Sequence, residues 1–518
     1  MHPHPKQHRK SFVQSSRKRN KKAALPKKPS ATPQAGFGQA PNDGGGFFTL
    51  LLQRIGWAEL NGLNQRKHGA GRPAHVLSRG QLLAALLFHY TVSWTGSFAE
   101  HLFWLLGIQM AESTLSERRQ ALPFEVFEEL LKRLLGPIVG GSAQGFYRQW
   151  RLVAIDGVSF SLPNTPQVNR ACRKGGNQNG KAAFAKLQCS ALVELVMHNP
   201  LAACLGCKGE SEWKLAQGLL VHLPEKCLLL ADRLYGCGAF LVRAMERLKR
   251  CDGHFLVRVK QGLKVLRQIK RLEDGSRLVE VKALVPGDRH RVAGTLQVRE
   301  IYATIKRPGF RPVKVRLWTS LSDPEQAPAE ELVRLYVMRW EQELYFRELK
   351  RELGVNDLLR SQTVETAAQE VAAMIVGSSL IAHERAKLKP GEELQHRISF
   401  IKTWESLEPL WLTLLVGADI LSEQQKQQLC ERFYWLASRR MMAKKRCRSC
   451  PRDEAAHSTL APKEKSEKFY RPTQHLHRWK RVMKNYRMAL GFSRSKPFEP
   501  PKGGTPNQPR FMERPIAF

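Results

Sequence analysis

The chain has 518 residues, with 84 Lys plus Arg against 46 Asp plus Glu and a formal net charge of +38. That length accommodates two or three domains and a substantial core, and that charge fits a polyanionic partner better than a small neutral substrate. No apolar run reaches the roughly 18 residues of a membrane span and the first residues are too polar for a secretory signal, so a cytoplasmic, nucleoid-associated protein without a membrane partner is expected, its ten cysteines mainly reduced.

Residues 1–46 carry Lys6, Arg9, Lys10, Arg17, Lys18, Arg19, Lys21, Lys22, Lys27 and Lys28 before the first acid, Asp43, and their apolar residues are too sparse for a core. This reads as a disordered basic arm. Residues 47–148 read as a helical segment, clearest over 75–138. Gln81 to Tyr90 and Ser97 to Leu106 are amphipathic, and Glu112 to Arg119 opens a third helix with polar caps. A helix-turn-helix would bring Ser113, Ser116, Arg118 and Arg119 near DNA; a solvent-facing bundle helix fits the same pattern.

From Trp150 the pattern becomes α/β. Arg151 to Ile155 is a short apolar run ending at Asp156-Gly157, and Leu228 to Ala231 is another ending at Asp232-Arg233. Such runs predict buried strands, whose ends commonly bear functional residues. Val158 to Leu162 and Lys186 to Val196 predict further strands, and helices are predicted around Glu212 to Leu220 and from Ala239 to Lys249. Residues 255–320 then alternate in the manner of strands and predict a β-rich insertion. Lys260, Lys264, Arg299, Lys306, Arg307, Arg311, Lys314 and Arg316 would give it a cationic face for phosphate contacts, and Trp318 is a candidate for stacking on an extruded base, although an aromatic ending a β-run also fits a core.

The segment Tyr336 to Lys350 predicts a helix with Tyr336, Arg339, Glu343 and Lys350 on one side, since offsets of 0, 3, 7 and 14 at roughly 100° per residue fall within about 60° of one another. A carboxylate among a phenol, a guanidinium and an ammonium suits a phosphate site better than a greasy core. With Asp156 and Asp232 it makes three carboxylates. Brought together, these disfavour one another's ionised forms unless cations intervene. Two Mg²⁺ ions held by Asp156, Asp232 and Glu343, with Mn²⁺ as a substitute, are therefore expected, able to activate water and stabilise the leaving oxygen of a phosphodiester.

After about residue 390, Trp411 to Leu436 has helical apolar spacing and Arg439 to Arg487 is basic and irregular. Two Cys-x2-Cys pairs, Cys204/Cys207 and Cys447/Cys450, the second followed by His457, His475 and His477, are candidates for zinc, with spacings that fit no compact finger well.

Asp156-Gly157, Asp232-Arg233-Leu234-Tyr235-Gly236 and the complete Tyr-x2-Arg-x3-Glu-x6-Lys spacing at Tyr336, Arg339, Glu343 and Lys350 resemble a DDE transposase of bacterial insertion sequences, over about residues 75–390. The resemblance implies a ribonuclease-H-like catalytic core in two parts, 149–254 and 321–395, separated by the β-rich insertion 255–320, preceded by the helical DNA-binding domain 47–148 and followed by a helical and basic region, 396–518. It implies cut-and-paste transposition, with cleavage and strand transfer at terminal inverted repeats of double-stranded DNA, joining to target DNA, and a homodimer that synapses the two ends. Asp156, Asp232 and Glu343 would be catalytic, and Tyr336, Arg339, Lys350 and Arg233 would position phosphates. A catalytically inactive or architectural DNA-binding protein and a stand-alone nuclease are the alternatives; the first explains the charge but not the carboxylates.

Overall fold

The computed structural model describes residues 46–441 apart from 64–75, 93–95, 139–144, 173, 178–179, 208, 286–287, 306–311, 354–357 and 389–397. The basic arm before Gly46, Lys306, Arg307, Arg311, the pair Cys447/Cys450 with its histidines, and the basic tail from Lys444 onward lie outside these residues. Six helices precede the sheet: α1 (Phe47–Leu52), α2 (Trp57–Gly62), α3 (Arg79–Thr91), α4 (Phe98–Leu106), α5 (Glu112–Gln120) and α6 (Phe124–Leu134). The starts of α3 and α4 are set by capping boxes. Ser78 accepts from the Gln81 N–H and Gln81 returns the bond at 2.8 Å, and Ser97 pairs with Glu100 in the same way.

The strands are β1 (Phe146–Tyr147), β2 (Trp150–Ser161), the small pair β3 (Gly176–Asn177) and β4 (Gly180–Lys181), β5 (Lys186–Glu194), β6 (Asn199–Leu205), β7 (Cys227–Ala231), β8 (His254–Arg258), β9 (Arg267–Arg271), β10 (Arg277–Val285), β11 (Asp288–Ile305) and β12 (Val313–Thr319). All but β3 and β4 form one mixed sheet in the order β6-β5-β2-β7-β8-β12-β11-β10-β9, with β1 against β2. The pairs β2/β7 and β7/β8 are parallel, and every other pairing in this sheet is antiparallel. The crossovers carry α7 (Pro166–Ala171), α8 (Glu212–Leu219) and α9 (Gly238–Arg250). Period-two alternation divides β2 and β7 between two cores. Val153, Ile155, Leu229 and Ala231 pack with α8 and α9, whereas Leu152, Ala154, Leu228 and Leu230 pack with α10 (Ala329–Val337).

One expectation changes here. The strands expected on either side of Asp156-Gly157 are a single one: β2 runs twelve residues, because after its parallel pairing with β7 stops at Ile155↔Ala231 it stays paired to β5 as far as Ser161↔Lys186. The β-rich segment continues the same sheet. Phe255 to Arg258 lies in β8, the parallel neighbour of β7, and β12 joins β8 antiparallel, so the insertion lengthens the central sheet.

The cationic face of this extension is thinner than its composition suggests. Lys260, Lys264 and Lys314 are exposed, but Arg299 and Arg316 are buried. Arg299 pairs with Asp274 and donates to the Ala327 carbonyl at 2.6 Å; Arg316 donates to Glu300 at 2.6 Å and to the Leu263 carbonyl at 2.7 Å. These guanidiniums satisfy buried acceptors and are corrected from phosphate contacts to internal ties. The outermost strand β9, Arg-Gln-Ile-Lys-Arg, is exposed at all five residues. At the opposite margin β6 contains Pro200 and is covered by α6, α8 and α12 (Val364–Ala386).

Helices α11 (Trp340–Arg347), α13 (Phe400–Val416) and α14 (Glu423–Ser438) complete the described residues. The long α12 is buried almost throughout, its polar residues Gln369, Glu370, Glu384 and Arg385 included, and joins the first six helices and one face of the sheet in a single core. It crosses α3 closely at Gly377, where a Cβ would lie 2.2 Å from the Thr91 hydroxyl oxygen. Among the described residues no helix is long and apolar enough to cross a membrane.

Candidate active site

Register and parity bring the two aspartates together. Asp156 and Asp232 each follow one residue of the last parallel pair, Ile155↔Ala231, so they stand side by side on strands about 4.8 Å apart. Both share the parity of Leu152, Ala154, Leu228 and Leu230, which puts them on the face covered by α10. The third carboxylate arrives from above on α11. Gln342, fully buried, donates at 2.9 Å to the Ala191 carbonyl, and Ala191 is the β5 partner of Asp156. The next residue is Glu343. No periodicity argument singles out Gln342, because a buried amide in a helix resembles any other polar position until its acceptor is known.

The helix predicted through Tyr336–Lys350 is broken. Hydrogen bonds tighten to the i−3 pattern at Met338, Arg339, Glu341 and Gln342, between α10 and α11, and Glu348–Leu353 opens into a π-helical turn. A constant 100° per residue therefore does not apply. Tyr336, Arg339 and Glu343 still converge, whereas Lys350 lies with its ammonium 5.5 Å from the Phe160 ring centroid, four residues farther along β2 than Asp156. The π-turn is tied down at its first residue, where Glu348 meets His198 at 2.7 Å. Nearby, Glu341 accepts the Val196 N–H at 2.6 Å and holds that β-branched residue at φ +71°, a strained conformation.

Arg339 is the centre of the site. Its guanidinium donates to Asp156 at 3.2 Å and to Glu343 at 2.7 Å, with its side chain 11% exposed. Burial alone would lower its pKa, but the bonds to Glu343 and the nearby Tyr336 and Asp156 raise it. Burial pushes the Asp156 carboxyl up to about 7; the Gly157 N–H and Arg339 pull it down, and Asp232 and Glu212 push it further up. Tyr336 is buried beside Arg339, and burial raises its phenol. Asp232 turns its carboxylate to accept the Leu234 N–H at 2.6 Å, and Arg233 is exposed at the rim.

This arrangement corrects the expectation of two Mg²⁺ or Mn²⁺ ions held by Asp156, Asp232 and Glu343. Among the described residues no group of three or more His, Cys, Asp or Glu side chains is arranged to hold a metal ion. The expectation rested on like charges needing a cation, and the structure supplies one from the chain itself: Arg339 fills the space between Asp156 and Glu343 while Asp232 bonds its own turn. Cys204 and Cys207 likewise stand in no such group, and burial pushes their thiols up to about 11 and about 12, the opposite of what a thiolate ligand needs.

The remaining predicted residues lie elsewhere. Trp318 is 3% exposed, and its indole N–H donates to Glu300 at 3.0 Å in the core of the sheet extension. Arg119 points inward, donating to Ser361 at 2.7 Å and to the Thr366 carbonyl at 2.6 Å; Arg118 donates to the Leu77 carbonyl at 3.1 Å. Ser113 and Ser116 are exposed on α5. One aromatic was overlooked. Trp340, immediately after Arg339 in the chain, is 53% exposed, and a large ring inside the charged motif was the signal for it.

The raised Asp156 carboxyl has a sign that can be measured. Below about pH 4 the group is protonated in both folded and unfolded chains; as pH rises through about 7 the folded protein must carry a buried charge and loses the stability it had. The offset from 3.8 to about 7 corresponds to at most about 4 kcal/mol. Asp156→Asn, which cannot titrate, is expected to gain stability relative to the parent between pH 4 and pH 8. Urea unfolding across that range checks it, and parallel pH profiles for the two proteins would contradict it.

Residues 149–377 match a family model described as a transposase DDE domain. The transposase InsG for insertion sequence element IS4, from Escherichia coli strain K12, is 27% identical over 283 residues, 54% of this chain and 62% of that protein. The match thus spans less than two thirds of that relative. Among solved structures, a piggyBac transposase synaptic complex with hairpin DNA aligns over 74% of this chain and 84% of that one, at 9% identity and a TM-score of 0.35, too low for the likeness to carry an argument.

Proposed function

We propose, from the premise that residues 149–377 belong to the transposase DDE-domain family, that this chain is the transposase of an insertion sequence, cutting double-stranded DNA at terminal inverted repeats and joining the freed ends to target DNA. The observation that carries the reading is the joining of Asp156 and Glu343 by Arg339 where β2 and β7 stop pairing, with Asp232 following the last β7 residue of that ladder beside Asp156. A ribonuclease-H-like core is supported by the order β6-β5-β2-β7-β8, an antiparallel meander of three strands followed by two parallel to its first.

In the first step an oxygen of water attacks the scissile phosphorus while the bond to the 3′ oxygen breaks, giving a 3′-hydroxyl and a 5′-phosphate. In the second, that hydroxyl attacks a phosphodiester of the target; a new P–O bond forms and the target's own 3′ oxygen departs with a proton. The carboxylates orient each nucleophile and accept its proton, and Arg339, steadied by Tyr336, contacts the phosphate. Lys350, over Phe160 farther along β2, and exposed Arg233 hold flanking phosphates, and Ser113 and Ser116 of α5 meet the duplex. A homodimer would provide one site for each end.

The test is a joining assay on labelled repeat ends with sequencing of the junctions. A two-ended complex, exposed 3′-hydroxyls and joined products are expected; a folded protein that cuts its cognate ends but never joins them would reduce the reading to a nuclease. Trp340, exposed beside Arg339, is assigned to stack on a base at the cut end. Trp340→Ala is expected to slow cleavage on the order of tenfold, the scale of one lost base–aromatic stack, and Trp340→Phe should recover most of the rate.

A further inference from the structure

The sheet face opposite the carboxylates holds an acid that the reaction above does not use. Glu212 is the first residue of α8. Gly157, which follows Asp156, has the parity of Val153 and Ile155 and so faces α8; a Cβ there would lie 2.1 Å from Glu212 Cδ and 2.6 Å from its Oε1. The Glu212 carboxyl group therefore rests on the backbone of β2 one residue beyond Asp156. The same Oε1 accepts a hydrogen bond of 2.8 Å from the Tyr235 hydroxyl. Tyr235 is fully buried and belongs to the turn that follows Asp232, its N–H reaching the Asp232 carbonyl at 3.3 Å. The main chain of Glu212 is fixed in turn, its carbonyl accepting from the Ser190 hydroxyl of β5 at 3.2 Å.

The location matters because the β2/β7 ladder ends one residue before the aspartates, at Ile155↔Ala231. Beyond that pair, no backbone bond of the β2/β7 ladder sets how far Asp156 stands from Asp232. The Glu212–Tyr235 bond links the cover of Gly157 to the turn of Asp232.

We propose that Glu212, held by Tyr235, is a positioning residue that carries the alignment of β2 and β7 past the end of their ladder and so sets the separation of the Asp156 and Asp232 carboxylates. The proposal rests on the phosphodiester reaction above only for its kinetic consequence. It acts from behind the sheet, out of reach of DNA. Glycine at 157 is required by this device, since any side chain there displaces the Glu212 carboxylate.

The experiment compares Glu212→Ala, Glu212→Gln, Tyr235→Phe and Gly157→Ala in the full chain, reading single-turnover cleavage of repeat ends, DNA affinity and thermal melting, with a crystal structure of Glu212→Ala. Glu212→Ala, Tyr235→Phe and Gly157→Ala are expected to slow cleavage by up to about 10²-fold, the cost of roughly 1 Å of misplacement, at unchanged affinity. Glu212→Gln keeps an oxygen for the Tyr235 hydroxyl and is expected to restore most of the rate. The double variant Glu212→Ala/Tyr235→Phe should be no slower than the slower single one. The crystal structure should show the two carboxylates at an altered separation. An unchanged separation, a rate at Glu212→Ala equal to the parent's, a loss that tracks melting, or failure of Glu212→Gln to recover activity would each overturn the proposal. A parent protein that cleaves no DNA at all would count against the function, while the crystallographic separation would still decide the positioning role.

Discussion

Asp156→Asn, Asp232→Asn and Glu343→Gln are each expected to lower cleavage and joining by about 10²- to 10⁴-fold, the usual contribution of a positioned proton acceptor, with little change in DNA affinity. Affinity should hold because removing one carboxylate raises the chain's net charge of +38 by a single unit and removes no cation. Folding should hold because each amide isostere keeps one oxygen acceptor: for the Leu234 N–H at position 232, for Arg339 at position 343, and at position 156 for one of the two donors, Gly157 or Arg339, that the parent's two carboxylate oxygens accept from. Single-turnover cleavage set beside filter binding separates the two effects. Near-normal rates in all three folded variants would remove these residues from the reaction.

Arg339→Ala is expected to be the most damaging change outside the carboxylates. It leaves Asp156 and Glu343 facing each other without their shared cation, in a position only 11% exposed. Breaking a buried pair in this way costs about 3–5 kcal/mol; because the Glu343 side chain is 38% exposed, roughly 1–3 kcal/mol is the better expectation here. The rate should fall by at least about 10²-fold, as when a preorganised donor is lost from a transition state. Arg339→Lys should recover stability better than rate, since an ammonium cannot donate in two fixed directions as the planar fork does. Urea unfolding and single-turnover rates on the same preparations check both halves, and equal recovery of stability and rate by Lys would contradict the bidentate role.

Much of this site was legible from residue order because strands and helices advertise themselves through period. Leu228 to Ala231 reads as a buried strand ending at Asp232, and it is one. Glu343 reads as a helical neighbour of Arg339, and the two are bonded. What escaped depends on contacts between distant segments. That the runs before and after Asp156-Gly157 form one unbroken β2 is decided by its pairing with β5, and the break at Met338–Arg339 by a change of hydrogen-bond step, neither of which alters the pattern of apolar residues. Counting charges cannot distinguish Arg316, bonded to buried Glu300, from an exposed Lys314. The same blindness produced the metal expectation, in which three acids were counted without the charge that Arg339 brings between two of them.

The two margins of the sheet have a bearing on how copies of this chain meet. A strand at the margin of a sheet offers unpaired N–H and C=O groups to any neighbour. Here β9 meets a second β9 only by bringing Arg267, Lys270 and Arg271 against their own copies, and β6 is interrupted by Pro200 and roofed by three helices. Growth of the sheet from one molecule into the next is therefore opposed at both ends. Any symmetric pair is left to helix surfaces and loops for its contact, and crowded copies of the chain are kept from knitting together edge to edge.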